Sequence, residues 1–405
     1  MKLSILSAVS LFFNTLIILI ITYNYGLSAS SDNIFLAITL CNFLAYIPQC
    51  SWEAIMLKIV KNKDNCTIIS NGLLLNAVIT IIIGIALYST RIINIDFLYQ
   101  KEVWTEISDY SIYYLLLSLQ MYIKRVIHSL GYISKMYICD IIYGLICSAL
   151  IYSLNVAHME YVFFSISMLI SVTYGLFVIK HKITLSRKIF FFDKELIINS
   201  TKLKIGSISY SFKDVLFPSI LMNLSPGYFT AYNFASKILN AILLVVITPQ
   251  NNTFILRCIE SINKNASFIV IKRDLFHIMI KTIIMYAALI ISILLINEAI
   301  SYAHIAKKIP QNIVFIFSLL SIYYAIVVIE QPVSRLVFAL GKMTETMIIN
   351  IINLIIFISI YYLYSSQLNS LYFIFYLLAI PQIANIILYF YFAKEVIFEK
   401  DNICN

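Results

Sequence analysis

Three ionisable side chains sit where an apolar chain should have none. Lys213 and Asp214 are adjacent in SYSFKDVLFPS, and Lys237 follows in YNFASKILNAI. Each lies inside an apolar run long enough to cross a bilayer. A charge near the bilayer centre costs roughly 2.5–3.5 kcal/mol even on the lenient insertion scales, so something must offset it. Around Lys237 the spacing is informative. Thr230, Asn233, Lys237 and Asn240 are separated by 3, 4 and 3 residues, which places them on one helix face. Lys237 lies about ten residues from the outer end of its run, roughly 15 Å deep by helix rise. Asn42, Tyr46, Gln49 and Glu53 form a second such stripe, and Ser7, Ser10 and Asn14 a third. Ser209 and Lys213 share a face, with Asp214 on an adjoining one and Pro218 four residues beyond it. Glu330 is the remaining buried acid, followed by Pro332. Such stripes suit an aqueous cleft in which charges meet water or substrate rather than lipid. Asp214, Glu53 and Glu330 are then candidates for coupling to an ion. The plainer alternative is helix–helix glue, with Lys213 pairing Asp214 or snorkelling, and Glu330 serving a Lys or Arg.

The elements that must position these residues follow from length and composition. The chain has 405 residues, 61% hydrophobic and only 12% charged. A span needs about 20 mainly apolar residues. By that measure there are twelve: Leu3–Tyr23, Asn33–Leu57, Thr67–Tyr88, Ile107–Ile123, Met136–Leu154, Tyr161–Ile179, Ile205–Leu224, Phe229–Phe254, Leu275–Ile296, Asn312–Phe338, Met343–Tyr364 and Leu371–Ala393. The expected fold is an all-α integral membrane protein, since only helices or closed barrels satisfy their own backbone in lipid. These runs are too long and too uniformly apolar for barrel strands. The first run resembles a signal peptide, with Lys2 before it and GLSAS behind it. Its length, and the span that follows at once, make it an uncleaved first span. The seven cysteines form no CxxC pair and the five histidines are dispersed, so neither a metal nor a cofactor is expected.

The net charge of +9 is unevenly spread. One set of alternate loops carries 23 Lys and Arg residues. The other holds only Arg91, Lys101, Lys307 and Lys308. The rich side is expected to be cytoplasmic, with both termini inside. Topology thus explains the basic excess, and nucleic-acid binding is disfavoured. The longest inner loop, HKITLSRKIFFFDKELIINSTKLK from His181, interrupts its charges with Ile189–Phe192 and Leu196–Ile198. An amphipathic helix on the inner leaflet and a plain loop both fit it.

An internal repeat organises the spans. KRVIHSLGYISKMYICDIIYGLI from Lys124 and SRLVFALGKMTETMIINIINLII from Ser334 agree at seven of 23 positions, at an offset of 210. Arg125 with Gly131 and Arg335 with Gly341 are the informative matches. Each falls at the turn between the fourth and fifth spans of its half, where glycine permits a tight inner turn and arginine faces the anionic leaflet. A weaker match pairs FLAITLCN from Phe35 with NFASKILN from Asn233. The chain therefore reads as a six-helix bundle over 1–181, a basic cytoplasmic linker over 182–204 and a second six-helix bundle over 205–405, around a central cavity.

These features resemble the polysaccharide-export branch of the multidrug/oligosaccharidyl-lipid/polysaccharide (MOP) flippase superfamily, and within it the bacterial O-antigen repeat-unit flippases. The resemblance rests on the six-plus-six spans, the basic loop between halves, and the turn Gly227-Tyr228-Phe229-Thr230-Ala231 into span eight, with Ala one place early. It also rests on the Arg125…Gly131 and Arg335…Gly341 turns. It covers nearly the whole chain, with loose motifs. It implies movement of an undecaprenyl-diphosphate-linked oligosaccharide from the inner to the outer leaflet of the bacterial cytoplasmic membrane, by alternating access. It also implies membrane lipids, a polysaccharide polymerase and a chain-length regulator as partners. Lys213 and Lys237 would meet the diphosphate, and Asn233, Asn240, Asn14, Asn42 and Gln49 the sugar or headgroup. No GxxxxGK[ST] is present, so ATP is not the direct energy source.

Other classes fit less well. An O-antigen polymerase needs a large outer loop with basic residues, whereas the longest outer loop here, Arg91–Glu106, is short. A multispan glycosyltransferase needs acids in its first outer loop, where only Asp32 stands. A multidrug exporter of the same superfamily would favour an acidic cavity for cationic cargo.

Overall fold

The computed structural model describes residues 2–49, 65–91, 101–154, 159–183, 194–243, 247, 250–251, 254, 257–258, 261, 268–302, 311–340, 342–364 and 371–397. Among these, all regular structure is helical. In chain order the helices are α1 Lys2–Tyr25, α2 Ala29–Gln49, α3 Asn65–Ser89, α4 Lys101–Asp109, α5 Ser111–Ser129, α6 Ile133–Leu154 and α7 Glu160–Ile179. They continue with α8 Lys194–Leu224, α9 Tyr228–Ile242, α10 Phe268–Tyr302, α11 Gln311–Ala339, α12 Met343–Leu363, α13 Leu371–Phe392 and the short α14 Lys394–Ile397.

Each of the twelve expected spans falls on one helix, with ends that differ from those expected, and two of the differences bear on the fold. The fourth span begins at Ser111 rather than Ile107. The chain breaks at Tyr110 (φ −82°, ψ 5°), and the preceding residues form the separate helix α4. Lys101, Glu102, Glu106 and Asp109 make α4 too polar to enter the bilayer, and Asp109 instead pairs with Arg91 across 3.4 Å. The basic loop also changes its end. Lys194–Lys204 forms the first turns of the 31-residue helix α8, continuous with the seventh span. Ile189–Phe192 lie outside the described residues.

Nine helices among the described residues are long and apolar enough to cross a membrane. Of the twelve, α5, α8 and α9 fall outside that set. These are the helices that carry Gln120, Lys124, Lys213 and Lys237, and only 15 residues of α9 are described. Exposed apolar rows cover the outer faces of other helices. Examples are Ile81, Ile82 and Ile85 on α3, Ile280, Ile284 and Ile291 on α10, and Ile383 and Ile387 on α13. Such a surface would aggregate in water and is what lipid contact requires. The protein is a multi-pass membrane protein.

The helices divide between two compact units. One comprises Met1–Lys204 with Asp214–Thr230, the other Ile205–Lys213 with Ala231–Asn405. The chain passes from the first unit to the second after Lys204, returns to the first at Asp214 within α8, and enters the second again at Ala231 within α9. In the first unit α5 packs on α7, α6 on α7 and α3 on α5. In the second, α11 packs on α13, α12 on α13 and α10 on α11. These pairings are spans 4–6, 5–6 and 3–4 of each half.

The repeat reaches further than the turn. Ser111-Ile112-Tyr113-Tyr114 recurs as Ser321-Ile322-Tyr323-Tyr324 at the same offset of 210. From Ser111 to Ile127 and from Ser321 to Val337 the two helices bury corresponding positions, except that Leu117 is buried and Val327 half-buried. The turns also agree. After α5, Gly131 at φ +80° lets Tyr132 N–H reach Ile127 O (3.0 Å) and Gly131 N–H reach His128 O (2.9 Å), the Schellman arrangement that closes a helix with a left-handed residue. After α11, Lys342 N–H reaches Val337 O at 3.2 Å, the same bond 210 residues on. Gly341 itself lies outside the described residues. Arg125 and Arg335 are both exposed, one turn before their helix ends.

Candidate functional site

In the first unit the start of α9 is held by a carboxylate from another helix. Gly227 N–H donates to Asp32 Oδ2 and Thr230 N–H to Asp32 Oδ1, each at 2.7 Å. The Thr230 hydroxyl lies 2.6 Å from Asp32 Oδ1 and 2.9 Å from Ser31 Oγ. Asp32 and Thr230 are both fully buried. A helix N-terminus presents unpaired N–H groups and a positive dipole end. Asp32 satisfies both demands, acting as an N-cap borrowed from α2. The geometry needs Gly227, which sits at φ +87°. A Cβ there would come within 2.7 Å of the Leu27 backbone. Asp32 is itself placed by a capping box at the start of α2, where Ser28 N–H bonds Ser31 Oγ (3.1 Å) and Ser31 N–H bonds Ser28 Oγ (3.4 Å). By sequence Asp32 stands out only as a lone acid of the first outer loop. The signal that points to this role is Ser28-x-x-Ser31-Asp32 ahead of an apolar run, with Gly-x-x-Thr opening another.

Thr230 therefore leaves the stripe on α9, because it is spent on Asp32. The remainder of the stripe is accessible. Asn233 is half-buried, and Lys237 and Asn240 are exposed. Among the described residues Asn233 Nδ2 has no hydrogen-bond partner, and no carboxylate forms an ion pair with Lys237.

Lys213 is placed differently. It is buried at 7% exposure, with Nζ 3.7 Å from the Tyr210 ring centroid and 3.4 Å from Tyr323 Oη. A desolvated ammonium over an aromatic face gains a cation–π interaction. Glu330, also buried, lies within electrostatic reach of Lys213 and faces Asn385. In the same unit the polar atoms of Gln382 and Asn385, and Asn353 Nδ2, lack a hydrogen bond of normal geometry among the described residues. Buried polar groups are rarely left so. The second unit thus holds two buried ionisable groups, with Asn385 beside Glu330.

The corresponding place in the first unit is neutral and satisfied. Gln120, the counterpart of Glu330, donates to Ser171 Oγ (2.7 Å), which donates to Cys139 O (2.7 Å). Tyr113, the counterpart of Tyr323, meets Tyr143 Oη at 3.4 Å. Asn14 and Asn42 each bond their own helix through Nδ2, to Ser10 O and Ile38 O at 2.9 Å. Gln49 and Asp214 lie in described helices, but their side chains, like all of Glu53, are outside the described residues. The structure therefore brings Lys213 and Glu330 together, and it leaves Lys237, Asn233 and Asn240 as a separate accessible stripe.

No protein-family profile matches the chain, and no curated protein matches it in sequence. Solved structures share its fold. An inward-facing multidrug resistance MATE family transporter of the MOP superfamily superposes with a TM-score of 0.71 at 11% identity, over 96% of this chain and 94% of that one. A MOP superfamily transporter from Pyrococcus furiosus gives 0.68 at 13% identity, over 98% and 94%. The MATE multidrug transporter DinF-BH gives 0.67 at 14% identity, over 98% and 95%. The fold is that of the MOP transporters, with twelve transmembrane helices in two halves. At these identities the likeness establishes the fold, and the cargo has to be argued from the residues.

Proposed function

We propose that the chain is a flippase for a polyprenyl-diphosphate-linked oligosaccharide, moving it from the inner to the outer leaflet of a bacterial cytoplasmic membrane. The observation that carries this reading is Lys237. It is an exposed ammonium near the middle of a span, without a carboxylate partner among the described side chains. A diphosphate crossing the membrane needs such a partner. Asn233 and Asn240 beside it offer amide donors and acceptors to sugar hydroxyls. The lipid tail stays in the bilayer, so the protein has only to shield the polar head. Lys213 with Glu330 supplies a buried pair through which an ion gradient could act, since its charge balance responds to a proton or cation. Both termini and the basic loops face the cytoplasm on this reading.

Multidrug export is the second reading, favoured by the fold shared with multidrug transporters. For the Pyrococcus furiosus transporter, a reversed polarity of the binding pocket suggests a different function. A cationic stripe is read here in the same sense, because it would repel a cationic drug.

A strain lacking the gene decides between the readings. Accumulation of lipid-linked repeat units in the inner leaflet, without surface polymer, supports the flippase. Single capped repeats on the surface would show a polymerase instead. Normal polymer with lost drug tolerance would show an exporter.

A further inference from the structure

A cavity of about 270 Å³ in the first unit is lined by Tyr46 of α2, Met121, Lys124, Arg125 and His128 of α5, and Met136 of α6. The α5 residues follow i, i+3, i+4, i+7, so one helix face supplies them. Lys124 is steadied by Asp140 (2.5 Å), whose side chain is 19% exposed. No described carboxylate pairs with Arg125, and Arg125 is exposed. The lining is rich in donors, with a guanidinium, an ammonium, an imidazole and a phenol, and Met121 and Met136 add soft apolar walls. That combination suits an amphiphile with an anionic head and an apolar body. The cavity is smaller than the roughly 300–1,000 Å³ that encloses a whole drug-sized ligand, and so fits a headgroup.

The repeat separates this site from the requirements of topology. In the matching turn of the second half Arg335 is kept. Gln331, Ser334, Phe338, Thr346 and Asn350 stand where the first half has Met121, Lys124, His128, Met136 and Asp140. Whatever a turn needs from arginine, both halves have it. The extra cations belong to the first half alone.

We infer that this cavity binds the phosphoryl headgroup of a membrane lipid at the cytoplasmic surface, with Arg125 and His128 as donors and Lys124 held in position by Asp140. Basic pockets between transmembrane helices on that side bind such headgroups. Assigning the headgroup to the cargo rests on the flippase reading; the site does not.

Purified full-length protein in nanodiscs of neutral lipid tests this, by native mass spectrometry with titrated undecaprenyl diphosphate and, separately, phosphatidylglycerol. Saturable binding is expected, weakened about tenfold or more in Arg125→Gln/His128→Gln by loss of charge-assisted hydrogen bonds. Arg335→Gln should bind within about twofold of the parent, since it removes a charge from the counterpart turn. Binding of undecaprenyl diphosphate supports both the site and the flippase reading. Binding of phosphatidylglycerol alone supports the site and counts against the flippase reading. Equal weakening in the Arg335 and Arg125/His128 variants, or no saturable binding of either lipid, would overturn the inference.

Discussion

Asp32 and Thr230, 198 residues apart in sequence, are joined by two contacts, a backbone N–H bond of 2.7 Å and a hydroxyl at 2.6 Å. The start of α9 is thus held by a buried carboxylate of α2, and the helix bearing Lys237 is anchored at that end. Asp32→Ala leaves the N–H groups of Gly227 and Thr230 buried and unpaired. It should destabilise the protein by about 2 kcal/mol or more. Thermal unfolding in detergent measures this, and an unchanged midpoint would show that water replaces the carboxylate. Gly227→Ala should be at least as damaging, because it meets both the positive φ and the Leu27 backbone.

Lys213 and Glu330 should behave as a unit. Lys213→Met strands a buried carboxylate, and Glu330→Gln strands a buried ammonium. Leaving either charge buried without the other should destabilise the fold by about 1–3 kcal/mol or more. The double variant Lys213→Met/Glu330→Gln should recover much of the lost abundance while transport stays impaired. Fluorescence-detected size-exclusion gives the abundance. Additive losses in the double variant would mean that the two residues act independently.

Lys237 should separate folding from function. Removing an exposed intramembrane charge costs the fold little, so Lys237→Ala should express at the parental level yet fail to restore surface polymer in a null strain. Lys237→Arg should restore part of it, since charge is kept while geometry changes. Full complementation by Lys237→Ala would remove this residue from the transport path.

Topology is open to direct measurement. Cysteines placed at Lys61, Ser186 and Lys264 should be protected from an impermeant thiol reagent in intact spheroplasts. Those at Ser30, Asn94 and Asn369 should be labelled. Labelling at Lys61 from outside would overturn the assignment of sides.

The spans, the two halves and the repeat were legible in the sequence, because lipid imposes one rule on every membrane helix. A run of about 20 apolar residues must be helical whatever packs against it. Local chemistry likewise announced the Gly131 turn and the stripe on α9. The fourth span illustrates where that rule stops. Its start depended on how Tyr110 ends the amphipathic α4, which hydropathy does not encode. The polar residues show the same limit more sharply. Thr230 belonged to the stripe by spacing and to Asp32 by tertiary contact. Adjacency in sequence points Lys213 to Asp214, and nothing local points it to Tyr210, Tyr323 and Glu330, beside which it is seated. Helical spacing states which side chains share a face. Which of them are consumed by partners from another helix depends on contacts between residues more than one hundred positions apart. Only the packed chain decides those contacts, because a buried hydrogen bond gains its value from the low dielectric that packing creates.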